Sequence, residues 1–201
     1  IQVTGITPSV VQTKYIQHCI ESDDCLLNTD NFKLISKGFD DLNANDFSLG
    51  SFDIVCSIGL LEHVKNMDAL NAKISRYLKP GGKAFHHFIV SKAIIPQFLE
   101  AKKTMIGKYF PGGRIWPLHE LGMHTRDLDL VNIWFINGLN YWRTLDEWHS
   151  LFWHNIEILA DIVTAKQIRY WNDYFILCKA CFLPMEGTLF GNGQYLFRKP
   201  L

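Results

Sequence analysis

Apolar positions along this chain follow two periods, and the switches between them mark the elements. Gln2 to Ile6 reads as a strand, with Gly5 marking a close backbone approach. Thr7-Pro8-Ser9 is a turn, and Ser9 followed by Gln12 forms a capping box for a helix to about Ile20. Phe32 to Ser36 is a short strand that ends in a turn at Gly38-Phe39-Asp40-Asp41. The strongest strand signal is Ile54 to Ile58, opened by Asp53 and broken at Gly59. A continuous apolar run of that length predicts a parallel strand buried on both faces. Met67, Leu70, Ile74 and Leu78 then mark one face of a helix that Pro80-Gly81-Gly82 stops. Ala84 to Val90 is the next buried strand. Its period of two puts His87 and Ile89 on one face and His86 and Phe88 on the other. Leu128 to Ile136 is a further strand, two long helices run from about Arg143 to Asp161 and Thr164 to Phe182, and Gln194 to Arg198 closes the chain. Gly191 and Gly193 mark the turn before that last strand.

Strands alternating with helices predict an α/β sheet, in which ligands bind outside the carboxyl ends of the strands. Glu62 and His63 follow one strand end, and His87 lies near the end of the next. A histidine in a core strand is ordinarily structural, and its place at the carboxyl end sets His87 apart. Residues 92 to 128 are an insertion in which Lys92, Lys102, Lys103, Lys108 and Arg114 interleave with Phe98, Met105, Ile106, Tyr109 and Phe110. That mixture reads as an amphipathic helix with a solvated face, or as a basic lid that touches lipid. Cys178 and Cys181 have C-x-x-C spacing without two further ligands, and they lie deep within a helix. They read as small core residues and not as a zinc or redox motif.

Composition narrows the function. A chain of 201 residues suffices for one domain. Equal acidic and basic counts argue against a nucleic-acid binder. No run approaches the ~18 apolar residues of a membrane span. Five scattered cysteines fit reduced thiols in a cytoplasmic protein. The chain starts at Ile1, so a segment upstream stays open.

Six segments carry a resemblance, in order: VTGITPSVVQ (3–12), FDIVCSIGLLEHV (52–64), LKPGGKAFHHFI (78–89), KYFPGG (108–113), YWRTLDEWH (141–149) and YFILCKACF (174–182). Together they resemble the cyclopropane-fatty-acyl-phospholipid synthase and mycolic acid cyclopropane synthase family of class I S-adenosylmethionine (SAM) methyltransferases, which is related to coclaurine-type N-methyltransferases. The resemblance covers essentially the whole chain. It implies one Rossmann-like methyltransferase domain over residues 1–201: a mostly parallel sheet with its last strand antiparallel, and helices on both faces. Segments 92–128 and 139–186 would cover the substrate. No glycine-rich turn precedes Ile1, so the expected fold has its N-terminal strand and helix absent.

The resemblance also implies roles. Thr7 and Gln12 would lie beside the ribose and methionine portion of SAM. Phe39 would stack on the adenine and Asp40 accept from its amine, with Ser57 and Ile58 completing the cofactor set. Glu62, His87 and Tyr174, with the backbone at Ile89, would surround a bicarbonate that serves as base in the cyclopropane branch. In the amine branch, Glu62 and His63 would handle the amine proton, although a second glutamate of those enzymes corresponds to Gly59 here. The first expectation is therefore methyl or methylene transfer to an unsaturated lipid acyl chain, leaving S-adenosylhomocysteine. The alternatives are N-methylation of a small amine, or a non-catalytic remnant serving as an interaction module. Peripheral membrane contact and a homodimer are the further partners this reading admits.

Overall fold

A computed structural model describes residues 1–22, 30–43, 45–99, 107 and 112–201. These form two compact units, Ile1–Ser51 and Phe52–Leu201. In the insertion, Lys102, Lys103, Met105, Ile106, Lys108, Tyr109 and Phe110 lie outside the described residues.

The first unit is strand, helix, strand. β1 (Val3–Ile6) pairs in parallel with β2 (Phe32–Ile35), Val3 opposite Phe32 and Ile6 opposite Ile35. Between them α1 (Val10–Glu21) starts at Ser9, whose hydroxyl accepts from the Gln12 amide. The capping box closes differently from the expectation. Gln12 Oε1 accepts from the Thr7 hydroxyl at 2.6 Å, and Thr7 Oγ1 accepts from the Ser9 amide at 3.2 Å. A strand and a capped helix therefore open the chain, which overturns the expectation that both are absent. Val3–Ile6 satisfies its backbone on β2, and Ser9 satisfies an orphan amide of the first helical turn.

In the second unit β3 (Phe52–Ile58) runs parallel to β4 (Leu78–Ser91). The other edge of β4 pairs antiparallel with β8 (Phe190–Arg198), which pairs antiparallel with β7 (Asp129–Asn137). β6 (Arg114–Pro117) joins β4 in parallel beyond the end of β3, and pairs antiparallel with β5 (Gln97–Phe98). The sheet is thus mixed, with its longest ladders antiparallel, and not mostly parallel. The cause is the closing strand: β8 inserts between β4 and β7 and runs against both. Helices flank the sheet: α2 (Met67–Tyr77), α3 (Gly138–His154), α4 (Ile156–Ile162) and α5 (Ala165–Phe182). The first of the two predicted long helices breaks at Asn155 into α3 and α4.

Two readings of local pattern change. β3 is not buried on both faces: Ile54 is 59% and Ile58 73% exposed, while Ser57 on the opposite face is buried. Among the described residues β3 has one strand neighbour, β4, so half of its apolar run faces outward. Gly191 and Gly193 lie inside β8 and not in a turn before it. A Cβ at Gly191 would strike the Ile136 carbonyl and the Phe135 ring, and one at Gly193 would strike the Tyr195 ring.

Along β4 the even positions Ala84, His86, Phe88 and Val90 are buried, and Phe85, His87 and Ile89 are half-buried. Phe88 stacks on Tyr195 at 5.1 Å, and His86 meets Phe197 edge-on at 5.9 Å. His86 is fully buried with Nδ1 2.6 Å from Ser57 Oγ, while its Nε2 has no hydrogen-bond partner among the described residues. Burial pushes its pKa down from 6.5 to about 4. The unfolded chain binds a proton that the folded chain refuses between those values. Stability from this residue is therefore full above pH 6.5 and falls as the pH drops towards 4, by roughly 3 kcal/mol in all. Urea unfolding at pH 7, 5.5 and 4.5 should show this slope in the wild type and a shallower one in His86→Leu. Equal slopes would refute the assignment.

Candidate functional site

The site grows from the end of β3. Gly59 takes a positive φ of 63°, and its amide donates to the His87 carbonyl at 2.8 Å, the last contact between β3 and β4. The chain then coils into a single 3₁₀ turn, Leu61–His63. Alternate residues of a strand present their backbone groups to the same edge. On this edge of β4 the His87 carbonyl meets Gly59, and the Ser91 carbonyl accepts from the Leu118 amide at 2.8 Å, beside β6. Between them the Ile89 amide donates to Glu62 Oε1 at 2.9 Å. Glu62 thus fills the gap in the ladder where β3 has ended and β6 has not begun.

Glu62 is 3% exposed, and its second oxygen, Oε2, has no hydrogen-bond partner among the described residues. Burial raises its pKa above the ordinary 4.5. The Ile89 amide, its own amide and the charges of His63 and His87 offset this in part. His87 is half-buried and takes the Gln194 amide on Nδ1 at 3.3 Å, whereas His63 is exposed. The structure therefore brings Glu62, His87 and Ile89 to one strand edge, with His63 on the same turn as Glu62.

Tyr174 sits one helical turn before Cys178 on α5, and both are half-buried. Burial raises the Tyr174 pKa, reinforced by Cys178 and Tyr141. The phenol that feels Glu62 directly is Tyr141, on α3. Burial raises its pKa first, then Cys178 and Glu62 add to the shift. Tyr141 packs edge-on against Phe182 at 4.7 Å, and its hydroxyl makes no hydrogen bond with a described residue. Sequence reasoning missed it because the helix was expected from Arg143. α3 instead begins at Gly138, where Asn137 Oδ1 accepts from the Leu139 amide at 2.8 Å. An Asn-Gly pair before an aromatic run was the available signal. Beyond Tyr174 an aromatic wall continues through Trp171, 5.5 Å away, and Phe175, which stacks on His149 at 5.2 Å.

The cofactor candidates divide. In the first unit Thr7 is buried and hydrogen-bonded to Gln12, while Phe39 is half-buried and Asp40 exposed on one turn. In the second unit the Ser57 hydroxyl is turned into the core against His86, and Ile58 projects outward beside His87, its partner in register. Among the described residues no group of three or more His, Cys, Asp or Glu could hold a metal ion, and no helix is long and apolar enough to cross a membrane.

The chain is similar to known proteins in sequence and in fold. An (S)-coclaurine N-methyltransferase of Papaver somniferum is 28% identical over 194 residues, 89% of this chain and 52% of that protein. The corresponding enzyme of Thalictrum flavum subsp. glaucum is 24% identical over 96% of this chain and 54% of its own length. The chain thus spans about half the length of these curated relatives. Among solved structures, coclaurine N-methyltransferase bound to N-methylheliamine and SAH superposes with a TM-score of 0.83 at 23% identity, over 98% of this chain and 60% of that one. A cyclopropane synthase of Mycobacterium tuberculosis superposes with a TM-score of 0.80 at 19% identity, over 98% and 70%. The family model of mycolic acid cyclopropane synthetase matches residues 1–189, and this chain belongs to that family.

Proposed function

We propose that this chain carries the catalytic body of a SAM-dependent methyltransferase whose acceptor is a small amine. The carrying observation is Glu62: a buried carboxylate with one oxygen fixed on the Ile89 amide and the other without a hydrogen-bond partner among the described residues. An acceptor-only group left unpaired in a buried site calls for a donor. An amine nitrogen that becomes N–H⁺ as it is methylated is such a donor. Bound SAM supplies an electrophilic methyl on a sulfonium, which passes to the nitrogen lone pair and leaves the thioether of S-adenosylhomocysteine. The proton displaced from nitrogen goes to Glu62, with His63 on the same turn as its route towards solvent. The rings of Trp171 and Tyr174, 5.5 Å apart, would offer π faces to the cation.

The unsaturated acyl chain has less support. Its route needs a bicarbonate beside Glu62, yet the Ile89 amide expected to help hold that anion is occupied by Glu62 itself. Two anions side by side also repel unless they share a proton. The curated relatives reported above are amine methyltransferases, which favours the same side. For the cofactor, the half-buried Phe39 ring and the exposed Asp40 carboxylate make an acceptor-and-face set suited to a nucleobase carrying an amine. Thr7 and Gln12 are the polar pair for its ribose. With its hydroxyl held by His86, Ser57 contributes backbone at most.

Incubation with methyl-labelled SAM, a panel of secondary amines and a lipid extract should label an amine. Label confined to acyl chains would overturn the acceptor. Glu62→Gln should lower turnover on that amine by roughly 10²–10⁴-fold with SAM affinity within about twofold of wild type. The acid limb of the kcat/KM profile should have a midpoint above 4.5 and vanish in the variant.

The same carboxylate should carry a stability cost. Its folded pKa lies above its unfolded one, so its contribution is most favourable in acid and is lost as pH rises through 4.5 to the folded value. Glu62→Gln should therefore gain most on the wild type at pH 7, and the gap should narrow towards pH 4 in urea titrations. A gap independent of pH would contradict the burial argument.

A further inference from the structure

We infer that Trp116 is a positioning residue for Glu62, fixing the 3₁₀ turn that carries the carboxylate through a hydrogen bond to the Leu61 carbonyl. The inference rests on the reading of Glu62 given above and adds a residue to it. Trp116 is 7% exposed and donates from Nε1 to Leu61 O at 3.1 Å across a separation of 55 residues. It belongs to β6, where it lies opposite Val90 of β4. The next residue back along β4 is Ile89, whose amide holds Glu62 Oε1. The turn is therefore tied twice to adjacent residues of one strand: directly through its carboxylate, and indirectly through the indole.

The Leu61 side chain is fully buried and seats the turn, but the backbone of the turn has few hydrogen bonds of its own to fix its angle. The turn spans three residues and joins β3 through Gly59, which sits at positive φ and has no Cβ to restrict it. The local bonds are those of a single turn, from the His63 amide to Leu60 O at 3.0 Å and from the Val64 amide to Leu61 O at 3.2 Å. With the Leu61 carbonyl released, the turn can rotate about Gly59, and the carboxylate loses its angle to the Ile89 amide. The indole is itself braced, since the Arg114 guanidinium lies 5.5 Å from its ring and 5.1 Å from that of Phe98. The hairpin of β5 and β6 thereby sets the orientation of a group on a different loop.

The test separates the donor from the bulk of the ring. Trp116→Phe removes both. Replacement of Trp116 by β-(3-benzothienyl)alanine keeps the bicyclic shape and removes only the N–H, which guards against a variant that merely misfolds. Amide hydrogen exchange at Ile89 is the first readout. It should quicken at least tenfold in both variants, with the amides of Tyr195 and Phe197 unchanged. Turnover on the amine should fall roughly tenfold, with SAM affinity within twofold, as expected when a reacting group is misplaced and not removed. Unchanged Ile89 exchange in the benzothienyl variant would overturn the inference whatever the acceptor. Faster exchange in a protein whose wild type methylates no amine would keep Trp116 as the anchor and remove the acceptor assignment instead.

Discussion

The structure of the second unit turns on one unfilled position in a ladder. β4 needs partners along the whole of one edge, β3 stops at Ile58, and β6 starts only opposite Val90. A buried amide left without an acceptor costs about 1–3 kcal/mol, so the Ile89 N–H must be met by something. A water or a backbone carbonyl would serve the fold equally well. Glu62 serves it with an ionisable group, and the strand gap becomes a place where a carboxylate is held in low dielectric with one oxygen fixed and one to spare. The same bond that completes the sheet fixes the direction of that carboxylate. A substitution that removes the charge and keeps an acceptor for the Ile89 amide therefore relieves the burial cost, whereas one that removes the acceptor exposes the fold to the unmet amide.

What the sequence revealed and what it hid separate along the range of the interactions. Short-range features were legible: the Ser9 cap, the α2 stripe of Met67, Leu70 and Ile74, the start of the last helix near Thr164, and the two faces of β4. Glu62 and His87 were legible as a pair because strand ends converge at one edge of an α/β sheet. The partners that make them a site were not. The amide of Ile89 lies 27 positions beyond Glu62, the indole of Trp116 lies 55 beyond Leu61 and the phenol of Tyr141 lies 79 beyond Glu62, and no local period encodes such meetings. Burial was misread for the same reason. The run from Ile54 to Ile58 is apolar enough for a doubly covered strand, but only the arrangement of neighbours decides which side is covered. The glycines of β8 were read as punctuation, whereas their lack of a Cβ serves close contacts with β7 and with Tyr195.

The neighbouring histidines of β4 show how little separates a structural group from a chemical one. His86 and His87 have the same intrinsic chemistry and adjacent backbone positions, and the pleat sends them to opposite faces. On the closed face, His86 loses its solvent, keeps one hydrogen bond to Ser57 and is held neutral at physiological pH. On the other face His87 is half-exposed, takes a weaker contact from Gln194 and lies within the field of Glu62. A buried carboxylate gains from a neighbour that can carry positive charge, and His86 in its core setting could not provide it. The two rings part on solvation: burial holds His86 neutral, while His87 stays half-exposed near a carboxylate that the fold has already committed to the sheet. A change of register by one residue in β4 would turn Phe88 and Val90 out of the core and carry the Ile89 amide away from Glu62, so the ladder between β4 and β8 holds the strand-end geometry as well as the packing.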